Sequence, residues 1–360
     1  MTPYQYKRIA VKIGSNVLTQ KDGTLDTERM SAIVNQVSDL QKAGMEIILV
    51  SSGAVASGRS EVKTSRKLDA VDQRQLYSAV GQAILINRYY DLFRKNGLIC
   101  GQVLTTKENF SSRRHYLNQK NCMTVMLENG VIPIVNENDT ISVTELMFTD
   151  NDELSGLIAT MMNAEALIIL SDIDGIYNGN PNDPEAKVIR QILPDTDLKQ
   201  YISSGKSSFG RGGMLTKSNI ARKVAEEGIS VYIANGKKEN ILPDLLDKTK
   251  EVVCTTFIAD KKASAVKKWI AHSEGFAKGQ IHINQGCLEA LFKNDATSLL
   301  PVGITSIEGL FEKGDIVRIF DHTGHQIGVG KAKYGSESAR DIIGKKGEKP
   351  LIHYDYLYLD

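Results

Sequence analysis

The chain has 360 residues, room for two domains of ordinary size, and its 41% hydrophobic and 24% charged residues are the make-up of a globular protein. Lys plus Arg number 44 against 43 Asp plus Glu, and the formal net charge of +1 excludes a general electrostatic pull toward nucleic acid or an anionic membrane. No apolar run reaches the length of a membrane span, "MTPYQYKR" lacks the apolar core of a signal peptide, and Cys100, Cys122, Cys254 and Cys287 are too dispersed for a metal-type pair; reduced thiols in a cytoplasmic protein are expected.

Up to about residue 258 the chain alternates strand and helix. Residues 9–13, "IAVKI", read as a buried strand, and the next helix carries Met30, Ile33, Val34, Val37 and Leu40 at helical spacing, with Asp26 or Thr27 as its cap and Gly44 at its end. Strand "EIILV" follows, then a long helical pattern through Leu76, Val80, Ala83, Ile84 and Tyr90. Next come strand "LICGQVL", helix "YLNQKNCMTVMLENG", strand "VIPIV", helix "DELSGLIATMMNA", strand "ALIILS", helix "TKSNIARKVAEEG" and strand "ISVYIA". Apolar strands alternating with amphipathic helices predict an α/β fold, a mostly parallel sheet sandwiched by helices. Near residue 260 the texture changes. "DKKASAVKKWIAHSEG" reads as a short basic connecting helix, and "GQIHINQG", "GLFEKGDIVRIFD", "HQIGVGKAKY" and "PLIHYDYLYLD" as strands and turns of a small, mainly β domain. The expected domains are 1–260 and 275–360. His322 and His325, in "DHTGHQ", fit a hairpin turn better than a metal site.

Ligands of an open α/β sheet bind beyond the carboxyl ends of its strands. Here those ends carry Gly14-Ser15-Asn16, Ser51-Ser52-Gly53-Ala54, Asn136-Glu137-Asn138-Asp139 and Ser171-Asp172-Ile173-Asp174-Gly175. Any one is explained as an ordinary turn with a helix cap. Together with Lys12, an ammonium near the end of an otherwise apolar strand, the set points to a phosphate-handling site, because small turns admit an anion to backbone N–H groups. In "FGRGGMLTK", residues 209–217, a glycine-rich loop leads to Lys217 at a helix start; the spacing is not that of a P-loop. In "FTDNDELSG", Asp150, Asn151 and Asp152 stand in a row at a helix start. One of them suffices as a cap. A carboxylate between two lysines would offset their repulsion, which suits Asp152 if Lys12 and Lys217 converge.

"VKIGSNVLT", "VSSGAVASGR", "AVGQ", "IPIVNENDTI", "TDNDELSG", "LSDIDGIYNGNP" and "GRGGMLTK" resemble, in order, the motifs of the glutamate 5-kinases, a branch of the amino acid kinase family. The resemblance spans residues 8 to about 258. Its first motif recurs in sibling kinases, whereas "NENDTI" closely followed by "DNDELS" is particular to the glutamate branch. "GCLEALFKNDATSLLPVGITSIEGLFEKGDIVRI" resembles a PUA domain.

The resemblance implies ATP-dependent phosphorylation of the L-glutamate side-chain carboxylate, the first step of proline biosynthesis, with proline as a feedback inhibitor. It implies that Lys12 and Lys217 stabilise the transferring phosphoryl group and Asp152 orients them. Ser52, Asp139 and Asn151 would hold glutamate. Lys12, Ser171, Asp172, Arg211, Gly212, Gly213, Met214, Leu215, Thr216 and Lys217 would bind ATP, whose Mg²⁺ would be held mainly by phosphates and water, with no protein metal ligand. On this reading the ATP anion is the missing partner of Lys12. Asn16 departs from the family's Thr or Ser, Arg211 replaces the small residue of "GTGGM", and "SEVKTSRKLDAVD" is not typical of the family. A homo-oligomer is expected.

Three rival readings are a sibling kinase for another amino acid, an RNA-binding protein, and a dinucleotide oxidoreductase. The last lacks GxGxxG after the first strand. For RNA, the run from Lys331 to Lys349 mixes six basic residues with Glu337, Asp341 and Glu348 and has one aromatic, Tyr334; a solvated face fits it better.

Overall fold

The computed structural model describes residues 4–359 except 66, 112, 143–147, 149, 182, 194–195, 197–213, 260–269, 271–276 and 294–296. Two compact units emerge, Met1–Lys262 and Ala263–Asp360.

In the first unit β1 (Arg8–Ile13), β2 (Glu46–Ser51), β3 (Ile99–Thr105), β4 (Val131–Glu137), β5 (Ala166–Ser171), β6 (Gln191–Ile192), β7 (Ser230–Asn235) and β8 (Thr255–Phe257) form one sheet in the order β3-β4-β2-β1-β5-β7-β8-β6. Neighbours from β3 through β7 are parallel; β8 runs antiparallel to β7, and β6 is parallel to β8. The α/β expectation therefore holds, with an antiparallel edge. Strands β6 and β8 are too short to leave a periodic signal. The helix Ala54–Glu61, small and glycine-bearing, also escapes a periodicity reading.

The sheet is covered on both faces because its strands are apolar on both. Ile9, Val11 and Ile13 pack with Met30, Ile33, Val34, Val37 and Leu40 of the helix Thr27–Lys42 and with Leu85, Tyr89 and Phe93 of the helix Ala70–Lys95. Asp26 caps the former, its carboxylate accepting from Arg29 N. Ala10 points the other way, onto a core with Leu167, Ile169, Val231 and Ile233. This core includes Ala159 of the helix Asn151–Met161 and Ala221 and Val224 of the helix Met214–Glu226. Side chains alternate along a strand. Lys12 thus shares the face of Ala10, toward the helices that carry Asp152 and Lys217.

Parallel strands bring their carboxyl ends to one edge. From β1 the chain proceeds to β2 on one side, while β5 leads to β7 on the other. The order reverses between β1 and β5, the crevice in which such sheets bind ligands.

The second unit is a sheet of β9 (Gly279–Ile283), β10 (Ile304–Gly309), β11 (Ile316–Phe320), β12 (Gln326–Lys331) and β13 (Leu357–Leu359), ordered β10-β9-β11-β12-β13 around a separate core that includes Ile281, Leu299, Val317, Ile319 and Ile352. It also holds a helix at Gln285–Lys293, and β10 lacks the alternation that would announce a strand. The expected connecting helix falls, Ile270 aside, outside the described residues. The four cysteines are free, with Cys100 and Cys254 buried and Cys122 exposed. Among the described residues no helix is long and apolar enough to cross a membrane.

Candidate active site

Lys12 meets its counter-charge within the protein. Its Nζ lies 2.5 Å from Asp152 Oδ1, and the Lys217 ammonium donates to Asp152 Oδ2. All three side chains are buried. Lys12 and Lys217 thus converge on one carboxylate, which offsets their repulsion, and the nearby Asp150 charge acts on both lysines as well.

Local structure explains the meeting. Asp150 takes the capping role, accepting from Asp152 N (2.9 Å) and Glu153 N (3.1 Å), which frees Asn151 and Asp152 for other partners. The helices Asn151–Met161 and Met214–Glu226 then approach closely at Gly156. A Cβ there would lie 2.9 Å from Val224 Cγ2 and 3.1 Å from Ile220 Cγ2.

The charges respond to this packing. Burial raises the Asp152 carboxyl, but Lys12 and Lys217 outweigh it and hold the group well below the usual carboxylate range. Burial lowers Lys12, only partly offset by Asp152, and Lys217 adds to the lowering. At Lys217 burial also lowers, but Asp152 prevails and the group is raised. Asp150 is pushed up to about 6 by burial and by the Asp152 charge.

The β1–β5 crevice adjoins the lysines. Gly14 N donates to Leu170 O at 3.1 Å, and a Cβ on Gly14 would sit 3.0 Å from that oxygen and 3.7 Å from Lys12 Nζ. Glycine keeps this approach open. Asn16, the departure from the family pattern, donates from Nδ2 to Asp172 Oδ2 at 3.0 Å and ties the β1 turn to the β5 turn. Ser171 Oγ donates to the other Asp172 oxygen at 3.3 Å. Met214, Leu215 and Thr216 form the first turn of the helix carrying Lys217. Arg211, Gly212 and Gly213 lie outside the described residues.

A second polar group lies at the ends of β2 and β4. Asn151 Nδ2 donates to Ser52 Oγ (2.9 Å) and Asn136 Oδ1 (3.1 Å), and Asn136 Nδ2 donates to Gln82 Oε1 (2.8 Å). Ser52 and Asn151, expected together, are in contact. Asp139 belongs to a cluster: Arg74 pairs with it and, at 2.6 Å, with Glu137 Oε2. Burial pushes Asp139 up to about 6, with Arg74 pulling it down and Glu137 pushing it up. Arg74, Glu137 and the Asn136–Gln82 contact were not singled out from sequence. Glu137 and Asn136 stood in the "NENDTI" turn, whereas Arg74 is one basic residue on a long helix with no local signal.

The arrangement can neutralise a transferring phosphoryl group beside a cluster of amide, hydroxyl and charged side chains. A model of the amino acid kinase family matches residues 7–235, and one of the PUA domain matches residues 279–354. The chain is 70% identical over 357 residues to a glutamate 5-kinase of Bacteroides thetaiotaomicron, covering 99% of both chains. It is 50% identical over 360 residues to a glutamate 5-kinase of Chlorobaculum tepidum, covering 98% of both. Among solved structures, carbamate kinase from Giardia lamblia bound to AMP-PNP matches with a TM-score of 0.51 at 18% identity, over 71% of this chain and 99% of that one, a likeness of fold.

Proposed function

The chain belongs to the glutamate 5-kinases of the amino acid kinase family, and we propose that it transfers the γ-phosphoryl group of ATP to the side-chain carboxylate of L-glutamate, giving L-glutamyl 5-phosphate for proline synthesis. The observation that carries the chemistry is the buried trio of Lys12, Asp152 and Lys217 at the carboxyl edge of the sheet.

Phosphoryl transfer asks for positioning and charge neutralisation more than for covalent catalysis. The γ-carboxylate of glutamate is already an anionic nucleophile, so no strong base is needed. Asp152 keeps the two ammonium groups together before the substrates arrive. Both ammonium groups face the charge spread over the transferred phosphoryl oxygens. The open Gly14 turn, Ser171, Asp172 and the helix start ending at Lys217 receive the polyphosphate. Mg²⁺ bound with ATP would be held mainly by phosphate oxygens and water and would offset charge on the polyphosphate. Ser52 and Asn151 hold the glutamate side chain near the lysines, and Asp139 pairs with its ammonium. Proline shares the α-carboxylate and α-ammonium of glutamate, and inhibition through this same pocket is part of the proposal. So are the domain limits, a kinase unit over 1–260 and a PUA unit over 275–360.

The experiment is turnover with ATP, Mg²⁺ and hydroxylamine, which converts an acyl phosphate to a hydroxamate. Glutamate should give hydroxamate, and aspartate and N-acetylglutamate should not. Preference for either of the latter contradicts the substrate assignment.

A further inference from the structure

The Arg74 guanidinium bridges two carboxylates at the end of β4, and both are buried. Glu137 is fixed by further donors: Ser142 Oγ reaches its Oε1 at 2.7 Å and Phe148 N at 2.9 Å. Asp139 is one residue before Thr140, whose carbonyl accepts from Gln75 Nε2 at 2.8 Å, so helix and turn are already tied beside Arg74. Gln82, on the same helix as Arg74, holds Asn136, which in turn holds Asn151. Arg74 therefore stands over the same β4 turn as the proposed glutamate site, and Gln75 makes a second tie between helix and turn beside it.

The charge balance is informative. Glu137, Asp139 and Arg74 sum to one net negative charge. A zwitterionic amino acid head brings one ammonium and one carboxylate. The ammonium suits Asp139; the carboxylate needs a cation, and Lys12 and Lys217 are committed to Asp152 and the phosphoryl group. A planar guanidinium can fork onto a carboxylate in two-point geometry while its remaining donors keep Glu137.

Resting on the glutamate kinase reading, we infer that Arg74 is a specificity-determining residue that binds the α-carboxylate of the substrate, with Asp139 taking the α-ammonium. The Arg74–Asp139 ion pair opens as the zwitterion enters, and each partner exchanges one counter-charge for another. A site built this way rejects analogues that lack either charge, because entry then breaks the pair without replacing it.

The test compares glutamate with isoglutamine, which keeps the γ-carboxylate but carries a neutral α-amide. The hydroxamate assay gives the ratio of kcat/KM for the two substrates in the wild-type protein, in Arg74→Gln and in Arg74→Lys. The wild type should prefer glutamate. Loss of a charge-assisted contact corresponds to roughly ten- to a hundredfold, so the ratio should fall about tenfold or more in Arg74→Gln. Arg74→Lys, which retains a point charge without the fork, should lose only part of it. An Arg74→Gln variant that lowers both substrates equally, leaving the ratio unmoved, overturns the inference and makes Arg74 a structural tie. If that variant does not fold, an unmoved ratio in Arg74→Lys overturns it as well. A wild type that phosphorylates glutamate with no preference over isoglutamine overturns the inference alone. A wild type that makes no hydroxamate from glutamate overturns the kinase reading, and the inference with it.

Discussion

Lys12, on the first strand of the sheet, and Asp152, at the head of a helix, form an ion pair 2.5 Å long with both side chains almost wholly buried. Lys217 occupies the other oxygen of the same carboxylate. Removing one partner from a buried pair typically costs about 3–5 kcal/mol, because the remaining charge stays buried. In Asp152→Asn the two ammonium groups lose the carboxylate they share and keep only the more distant Asp150 charge between them. Its melting temperature should fall clearly below wild type, and ATP with Mg²⁺ should raise it by more than it raises the wild type, since polyphosphate then supplies the missing negative charge. Thermal melts with and without nucleotide check this. Equal ligand-induced shifts in the two proteins would contradict it.

Asp139 gives a pH dependence. Its carboxyl is pushed up to about 6 by burial, and only the ionised form pairs with an ammonium. Below pH 6 glutamate binding must expel a proton, so affinity should weaken as pH falls, by at most about tenfold per unit; above pH 7 it should be level. Titrating glutamate from pH 5 to pH 8 measures this slope, and Asp139→Asn should remove it while weakening glutamate and proline together. A slope that persists in the variant assigns the titration elsewhere. Loss of glutamate affinity with unchanged proline inhibition would place proline in a separate site.

Gly156 tests the packing that brings the trio together. On an exposed helix, Gly→Ala gains about 1 kcal/mol in helix propensity. Here the added methyl would press on Val224 and Ile220, and overpacking costs about 1–3 kcal/mol. Gly156→Ala should be neutral or destabilised in urea unfolding and slower in turnover, as the helices bearing Asp152 and Lys217 part. A variant gaining 1 kcal/mol with full turnover would show that the approach is not needed.

The proposed catalytic groups all precede residue 260, and the two units have separate cores. A chain ending near residue 260 should therefore make acyl phosphate. Folded truncated protein without that activity would show that the second unit is required.

Much of this was readable from sequence because its causes are local. Continuous apolar runs announced buried parallel strands, and Lys12 stood out as the one charge in such a run. The Asp150-Asn151-Asp152 row was legible as one cap plus two free side chains, and the structure assigns the cap to Asp150. What remained hidden depends on contacts between distant segments. Nothing near Arg74 in sequence reveals Glu137 and Asp139, and nothing near Asn16 reveals Asp172. The strands β6 and β8 owe their pairing to neighbours rather than to a pattern of their own.

The most direct test of the central claim is single-turnover transfer from γ-labelled ATP to glutamate in Lys12→Ala and Lys217→Ala, with ATP and glutamate affinities titrated on the same preparations. Loss of one electrostatic contact to the transition state typically costs about 10²–10³ in rate. Each variant should lose about that much in the transfer step, while glutamate affinity changes only severalfold. Transfer at near wild-type rate in either variant would contradict the account.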